Sequence, residues 1–257
     1  MSILVFDIET IPDTQAGRKL YNLQDLTDKE VAQAMYTLQR AKSGHEFLPH
    51  YLHCVIAISV LLVDPQHKIT LWTLGEERSA EADIIQRFFK GIEKNQPTLV
   101  SWNGSGFDLP VLHYRSLLHG VSAPLYWEHG DNNSHFRWNN YLSRYHYRHT
   151  DLMDILAAYQ NKAFAPLDDI AVLLGFPGKM GMHGSKVFDS YLAGDIQAIR
   201  NYCETDVLNT YGVYLRFELM RGNLSVNDHV QALDTLKTYL ANETTRPHLQ
   251  EFLNSME

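Results

Sequence analysis

Asp7 and Glu9 stand two residues apart at the end of an apolar run, Ile3-Leu4-Val5-Phe6-Asp7-Ile8-Glu9-Thr10, and this pairing constrains the chain more than any other feature. A β-strand alternates its side chains between two faces, so both carboxylates point the same way. Ile3–Ile8 therefore reads as an apolar strand that delivers two acids to one side of a sheet. Strand and helix then alternate along the chain. Residues Pro12–Pro49 read as an insertion, in which Thr27-Asp28-Lys29-Glu30 has the form of a capping box opening a helix to about Lys42. Cys54–Val63 and Ile69–Leu74 are β-rich runs split by Asp64-Pro65-Gln66-His67-Lys68, a hairpin pattern. Ala80–Lys94 has helical spacing, and Thr98–Trp102 is a short apolar strand.

Two further motifs carry acids. Asp108 ends Ser101-Trp102-Asn103-Gly104-Ser105-Gly106-Phe107-Asp108 and precedes an apparent helix, Leu109–His119, where an Asp makes a good N-cap. Tyr202 and Asp206 lie in Asn201-Tyr202-Cys203-Glu204-Thr205-Asp206, on a long helical pattern over Ile196–Arg221 that stops at Gly222. The i, i+4 spacing puts the phenol and the carboxylate on one side of that helix. Glu204 falls roughly opposite, which predicts a solvated acid. Each motif alone has a plainer reading: a strand end, a turn with a cap, or a helix surface. Their conjunction carries the weight.

These three motifs, in this order, resemble the DEDD exonucleases of the ribonuclease H-like superfamily, in the branch with Tyr four residues before the last Asp. The chain looks closest to stand-alone predicted 3′–5′ exonucleases related to the proofreading domain of family-B DNA polymerases, over roughly residues 1–220. The resemblance implies an α/β fold: a ribonuclease H-like mixed five-stranded sheet flanked by helices. It implies that Asp7, Glu9, Asp108 and Asp206 hold two divalent metal ions, Mg²⁺ or Mn²⁺, and that Tyr202 orients the attacking water. It also implies terminal-nucleotide contacts from Thr10, Ile11, Asn103 and Phe107, and a phosphate contact from Lys179 in Gly178-Lys179-Met180-Gly181. Hard divalent ions prefer carboxylate oxygen and water, and a phosphodiester needs cations on both attacking and leaving oxygens. The expected partner is the 3′ end of a single-stranded nucleic acid, with DNA slightly preferred. RNA trimming and a catalytically silent binding module are the alternatives.

The remaining pattern completes the expectation. His149–Leu156 would bring in the fifth strand or its helical exit, with Asp151 and Asp154 as acids of the rim and not metal ligands. Leu167–Leu174 reads as a short amphipathic helix closed by Gly175. Residues 1–222 read as the exonuclease domain and 223–257 as a helical C-terminal extension, its two helices separated near Asn242–Pro247. Residues 113–149 hold six of the thirteen His, eight aromatics and four Arg, a composition that suits stacking on unpaired bases, although packing onto the body is the better account of any single ring. A net charge of −8 excludes a broad nucleic-acid coat and leaves room for a confined metal-dependent site. There is no apolar run of membrane-spanning length, and Met1-Ser2-Ile3 enters the first strand without a signal-peptide pattern, so a cytoplasmic setting is expected. Cys54 and Cys203 read as small buried hydrophobes.

Overall fold

A computed structural model describes residues 2–257, so the expectation about Met1 lies outside the described residues. The five strands are β1 (Ile3–Pro12), β2 (His53–Val63), β3 (Ile69–Thr73), β4 (Thr98–Ser101) and β5 (His149–Asp151). They form one mixed sheet in the order β3-β2-β1-β4-β5, with β1 antiparallel to β2 and parallel to β4. The expected α/β architecture is therefore present. The helices are α1 (Thr14–Tyr21), α2 (Asp28–Ser43), α3 (Glu81–Asn95), α4 (Asp108–His119), α5 (Leu152–Leu156), α6 (Leu167–Leu173), α7 (Val187–Leu192), α8 (Ile196–Met220), α9 (Val226–Asn242) and α10 (Pro247–Asn254).

Both faces of the sheet are covered. Val5, Leu61, Leu71 and Val100 pack with residues of α6, α8, α9 and α10. Leu4, Phe6, Ile8 and Leu99 pack on the other side with α3, α4 and the buried rings Tyr126, Phe136 and Tyr141. The period of two along β1 thus sends Ile3, Val5, Asp7 and Glu9 toward α8. Of β1, only Ile3–Val5 pair with β4, so among the described residues its carboxyl-terminal half has β2 on one side and no strand on the other.

Within the insertion the Thr27–Glu30 capping box opens α2 as the sequence predicts. An additional helix, α1, starts at Asp13, whose side chain accepts from the Ala16 amide at 2.8 Å. It rests closely on α2 at Gly17, where a Cβ would meet the Met35 sulfur at 2.4 Å. Asp13 also binds Arg115, which is almost fully buried and bonds both oxygens of Glu81 at 2.7 and 2.5 Å. Removing one member of a buried ionic set strands the others. Arg115→Ala is expected to cost about 3–5 kcal/mol, read from the denaturation midpoint. A loss below 1 kcal/mol would show that water replaces the guanidinium.

The 113–149 segment divides. Tyr126, Phe136 and Tyr141 are buried, and Arg148 lies 3.9 Å from the Phe136 ring centroid. Trp138, Tyr145 and Tyr147 remain exposed.

Candidate active site

Three parts of the chain bring the four acids together. Asp7 and Glu9 come from β1 by alternation. Asp108 comes from the start of α4, at the end of the loop after β4 and beside the half of β1 that β4 leaves unpaired. There the Ile8 amide has no strand partner, and it donates to Asp108 Oδ1 at 3.2 Å. This corrects the capping expectation: Asp108 is the first residue of α4, Phe107 holds the cap position, and the carboxylate serves the strand edge instead. Asp206 comes from α8, one turn beyond Tyr202.

The loop that carries Asp108 is itself anchored by an acid. Asp151 accepts from the Asn103 and Ser105 amides at 2.9 and 2.8 Å. A side chain at Gly106 would collide with Asn103 Oδ1 at 2.3 Å, and one at Gly104 with Ser101 Oγ at 2.2 Å. Asp154 is bonded by Arg144. Both acids therefore hold structure at the rim.

Glu9 and Asp108 are buried, and Asp7 and Asp206 keep partial access to solvent. Burial, followed by the charges of Asp108, Glu9 and Asp206, pushes the Asp7 carboxyl well above the ordinary carboxylate range. Burial and then Asp206 and Asp108 do the same to Glu9. Asp108 and Asp206 are each pushed up to about 7, again chiefly by burial. Lys179 and the Tyr202 hydroxyl work against this rise at Asp206. The phenol in turn is raised by burial and by Asp206, Glu9 and Asp7, so it stays protonated at neutral pH.

Cys203 was read only as a buried hydrophobe. Its thiol donates toward the Asp7 carbonyl and Oδ2, both 3.4 Å away, and burial keeps it protonated. Its sulfur and the donor atoms of Asp7 and Glu9 lie within 4.8 Å of one another. Carboxylate oxygens are the donors that hard divalent cations prefer, and Asp7 and Glu9 offer them side by side.

The expected contact residues fall into two pockets. Thr10, Ile11 and Phe107 line one of about 410 Å³ that begins at Glu9 and is closed by Phe47, Leu48 and His53 from the insertion and its exit. Ile11 is 7% exposed and packs with Tyr202, so it is a wall of this pocket. Asn103 and Lys179 line a second pocket with Asp206. Asn209 holds the Lys179 loop by bonding the Gly178 carbonyl and amide at 2.8 and 3.2 Å. The roles of Phe47 and His53 had no signal in the sequence, because the insertion folds back on β1 from a distance.

Glu204 overturns the expectation of a solvated acid. It is buried and accepts from Thr73 Oγ1 at 2.9 Å, Arg246 at 2.5 Å and His248 Nε2 at 2.7 Å. Burial alone would raise its pKa, but the bonds from His248, Arg246 and Thr73 hold it below the ordinary range. The reason is that α9 and α10 cover the side of α8 that was read as open to water.

The sequence model of a family described as predicted 3′–5′ exonucleases related to the exonuclease domain of PolB matches residues 45–256. The chain belongs to this family. The exonuclease family's match spans Asp108, Lys179, Tyr202 and Asp206, while Asp7, Glu9, Thr10 and Ile11 precede it and join them through β1. As a family member the chain is a hydrolase acting on nucleic acid. Among the described residues, no helix is long and apolar enough to cross a membrane.

A linkage prediction follows from the crowded acids. Their folded-state pKa values are raised, so the stability they contribute is present below about pH 4 and is lost as pH rises through about 7. Protein stripped of divalent metal should melt lower at pH 8 than at pH 5.5. Saturating Mn²⁺ should raise the melting temperature at pH 8 by roughly 5 °C, and by much less at pH 5.5. Equal metal shifts at both pH values would contradict cation binding by these carboxylates.

Proposed function

We propose that this exonuclease releases nucleoside monophosphates from single-stranded or frayed 3′ ends by two-metal-ion hydrolysis. The observation that carries the reading is the convergence of Asp7, Glu9, Asp108 and Asp206 beside the Tyr202 hydroxyl, between two pockets. Asp7, Glu9 and Asp206 would hold one Mg²⁺ or Mn²⁺, and Asp7 with Asp108 would hold a second. When bound, the cations lower the pKa of the attacking water and offset charge on the leaving oxygen.

The chain's own groups do the rest. Tyr202, kept protonated, orients the water with its hydroxyl while its ring packs against Ile11. Lys179 offers a cation to phosphate in the pocket it lines with Asp206 and Asn103. Thr10, Ile11 and Phe107 enclose the terminal nucleoside. In this reading residues 1–222 form the catalytic domain, residues 223–257 brace α8, and the setting is cytoplasmic. DNA is the proposed substrate, through kinship with the PolB exonuclease domain. Trimming of RNA is the alternative.

The test uses 5′-labelled DNA and RNA of one sequence, with Mg²⁺ or Mn²⁺, in unblocked, 3′-phosphorylated and 5′-blocked forms. A 3′-phosphate adds charge and bulk beside Glu9, so the 3′-phosphorylated strand is expected to persist at least roughly tenfold longer than the 5′-blocked one. Equal loss of both, or fragments arising internally, would assign an endonuclease instead.

A further inference from the structure

The pocket beside Glu9 contains a hydrogen-bond chain that hydrolysis itself does not use. Thr10 Oγ1 lies 2.9 Å from His53 Nδ1, and His53 Nε2 lies 3.2 Å from the Leu48 carbonyl oxygen. A carbonyl can only accept, so Nε2 carries the ring hydrogen. The ring is flanked by Phe107 at 5.0 Å and Phe47 at 5.5 Å between centroids. Burial there lowers its pKa to about 4, so at neutral pH the imidazole is uncharged. With hydrogen on Nε2, Nδ1 is bare and accepts the Thr10 hydroxyl hydrogen. The Thr10 oxygen then has only lone pairs left for other partners. Thr10, His53 and Phe107 all line the pocket that starts at Glu9.

We propose that His53 fixes Thr10 as an acceptor-only contact, and that this pair selects a terminal nucleotide whose 3′ substituent can donate a hydrogen bond. The inference rests on the exonuclease reading and names what its pocket recognises: a free 3′-hydroxyl. A terminal hydroxyl donates to Thr10 Oγ1. A terminus bearing only acceptors sets two lone-pair sites against each other with no hydrogen between them. Sites built to pair a hydroxyl discriminate strongly against analogues that lack one, because the buried partner is left unpaired. His53 does not touch the substrate in this scheme and is a positioning residue acting through Thr10.

The experiment measures single-turnover release of the first nucleotide from two oligonucleotides of one sequence, ending in 3′-hydroxyl or 3′-fluoro. The wild-type protein is expected to favour the hydroxyl end by about tenfold. Thr10→Val should reduce that preference to about twofold by slowing the hydroxyl substrate, and Thr10→Ser should restore it. His53→Phe keeps a ring between Phe47 and Phe107 but removes the acceptor, freeing the Thr10 hydroxyl to donate to fluorine. The preference should therefore narrow in this variant as well. A wild-type preference near one overturns the proposal, as does an unchanged preference in His53→Phe. If that variant does not fold, an unchanged preference in Thr10→Val overturns it equally. Failure of the parent reading looks different: a wild-type protein that does not shorten even the 3′-hydroxyl strand removes the exonuclease activity, whereas equal release from both ends removes only this selection.

Discussion

Asp7→Asn and Asp206→Asn are each expected to lower nucleotide release by roughly 10³-fold at saturating metal, while the fold is kept. Asn preserves volume and one acceptor oxygen but removes the charge that a hard cation needs. Stability should move the other way from activity. Each substitution removes an acid whose own carboxyl is held above its ordinary range, chiefly by burial, so the metal-free variants should melt at or above the wild-type temperature at pH 8. The stabilisation that Mn²⁺ gives the wild type should shrink in both. Near-wild-type turnover in either variant would remove the two-metal mechanism. Low turnover with collapse of the fold would instead assign these carboxylates a structural role.

Tyr202→Phe is expected to lower kcat by about 10²-fold or more, with KM and the metal-induced melting shift unchanged. The ring packs with Ile11, Val187 and Ile199, and phenylalanine retains those contacts. Only the hydroxyl beside Asp206 is lost. Because burial and the neighbouring acids hold the phenol protonated, its ionisation should leave no limb in the wild-type pH–rate profile up to about pH 10. A strongly destabilised variant would mean that the tyrosine serves packing. An unchanged kcat would move water orientation to another group.

What the sequence made legible was local and periodic. Alternation along β1 placed Asp7 and Glu9 together, and the i, i+4 spacing placed Tyr202 over Asp206, because each relation needs only one element's geometry. The sheet and the boundaries of most helices follow from runs of similar length. The readings that changed depended on partners far along the chain. Asp108 looked like a cap, yet it serves the Ile8 amide 100 residues away. Glu204 looked solvated because the helical face opposite Asp206 seemed free, and only the docking of α9 and α10 supplies Arg246 and His248. The histidine and phenylalanine lining the pocket at Glu9 lie in and just after an insertion whose return path no periodicity encodes.

The brace on α8 also orders events in time. All five residues proposed for the chemistry are synthesised by position 206, but the partners that settle Glu204 follow 42 and 44 residues after it. A growing chain therefore holds every residue proposed for the chemistry before it holds Arg246 and His248, which together with Thr73 of β3 pair the Glu204 carboxylate.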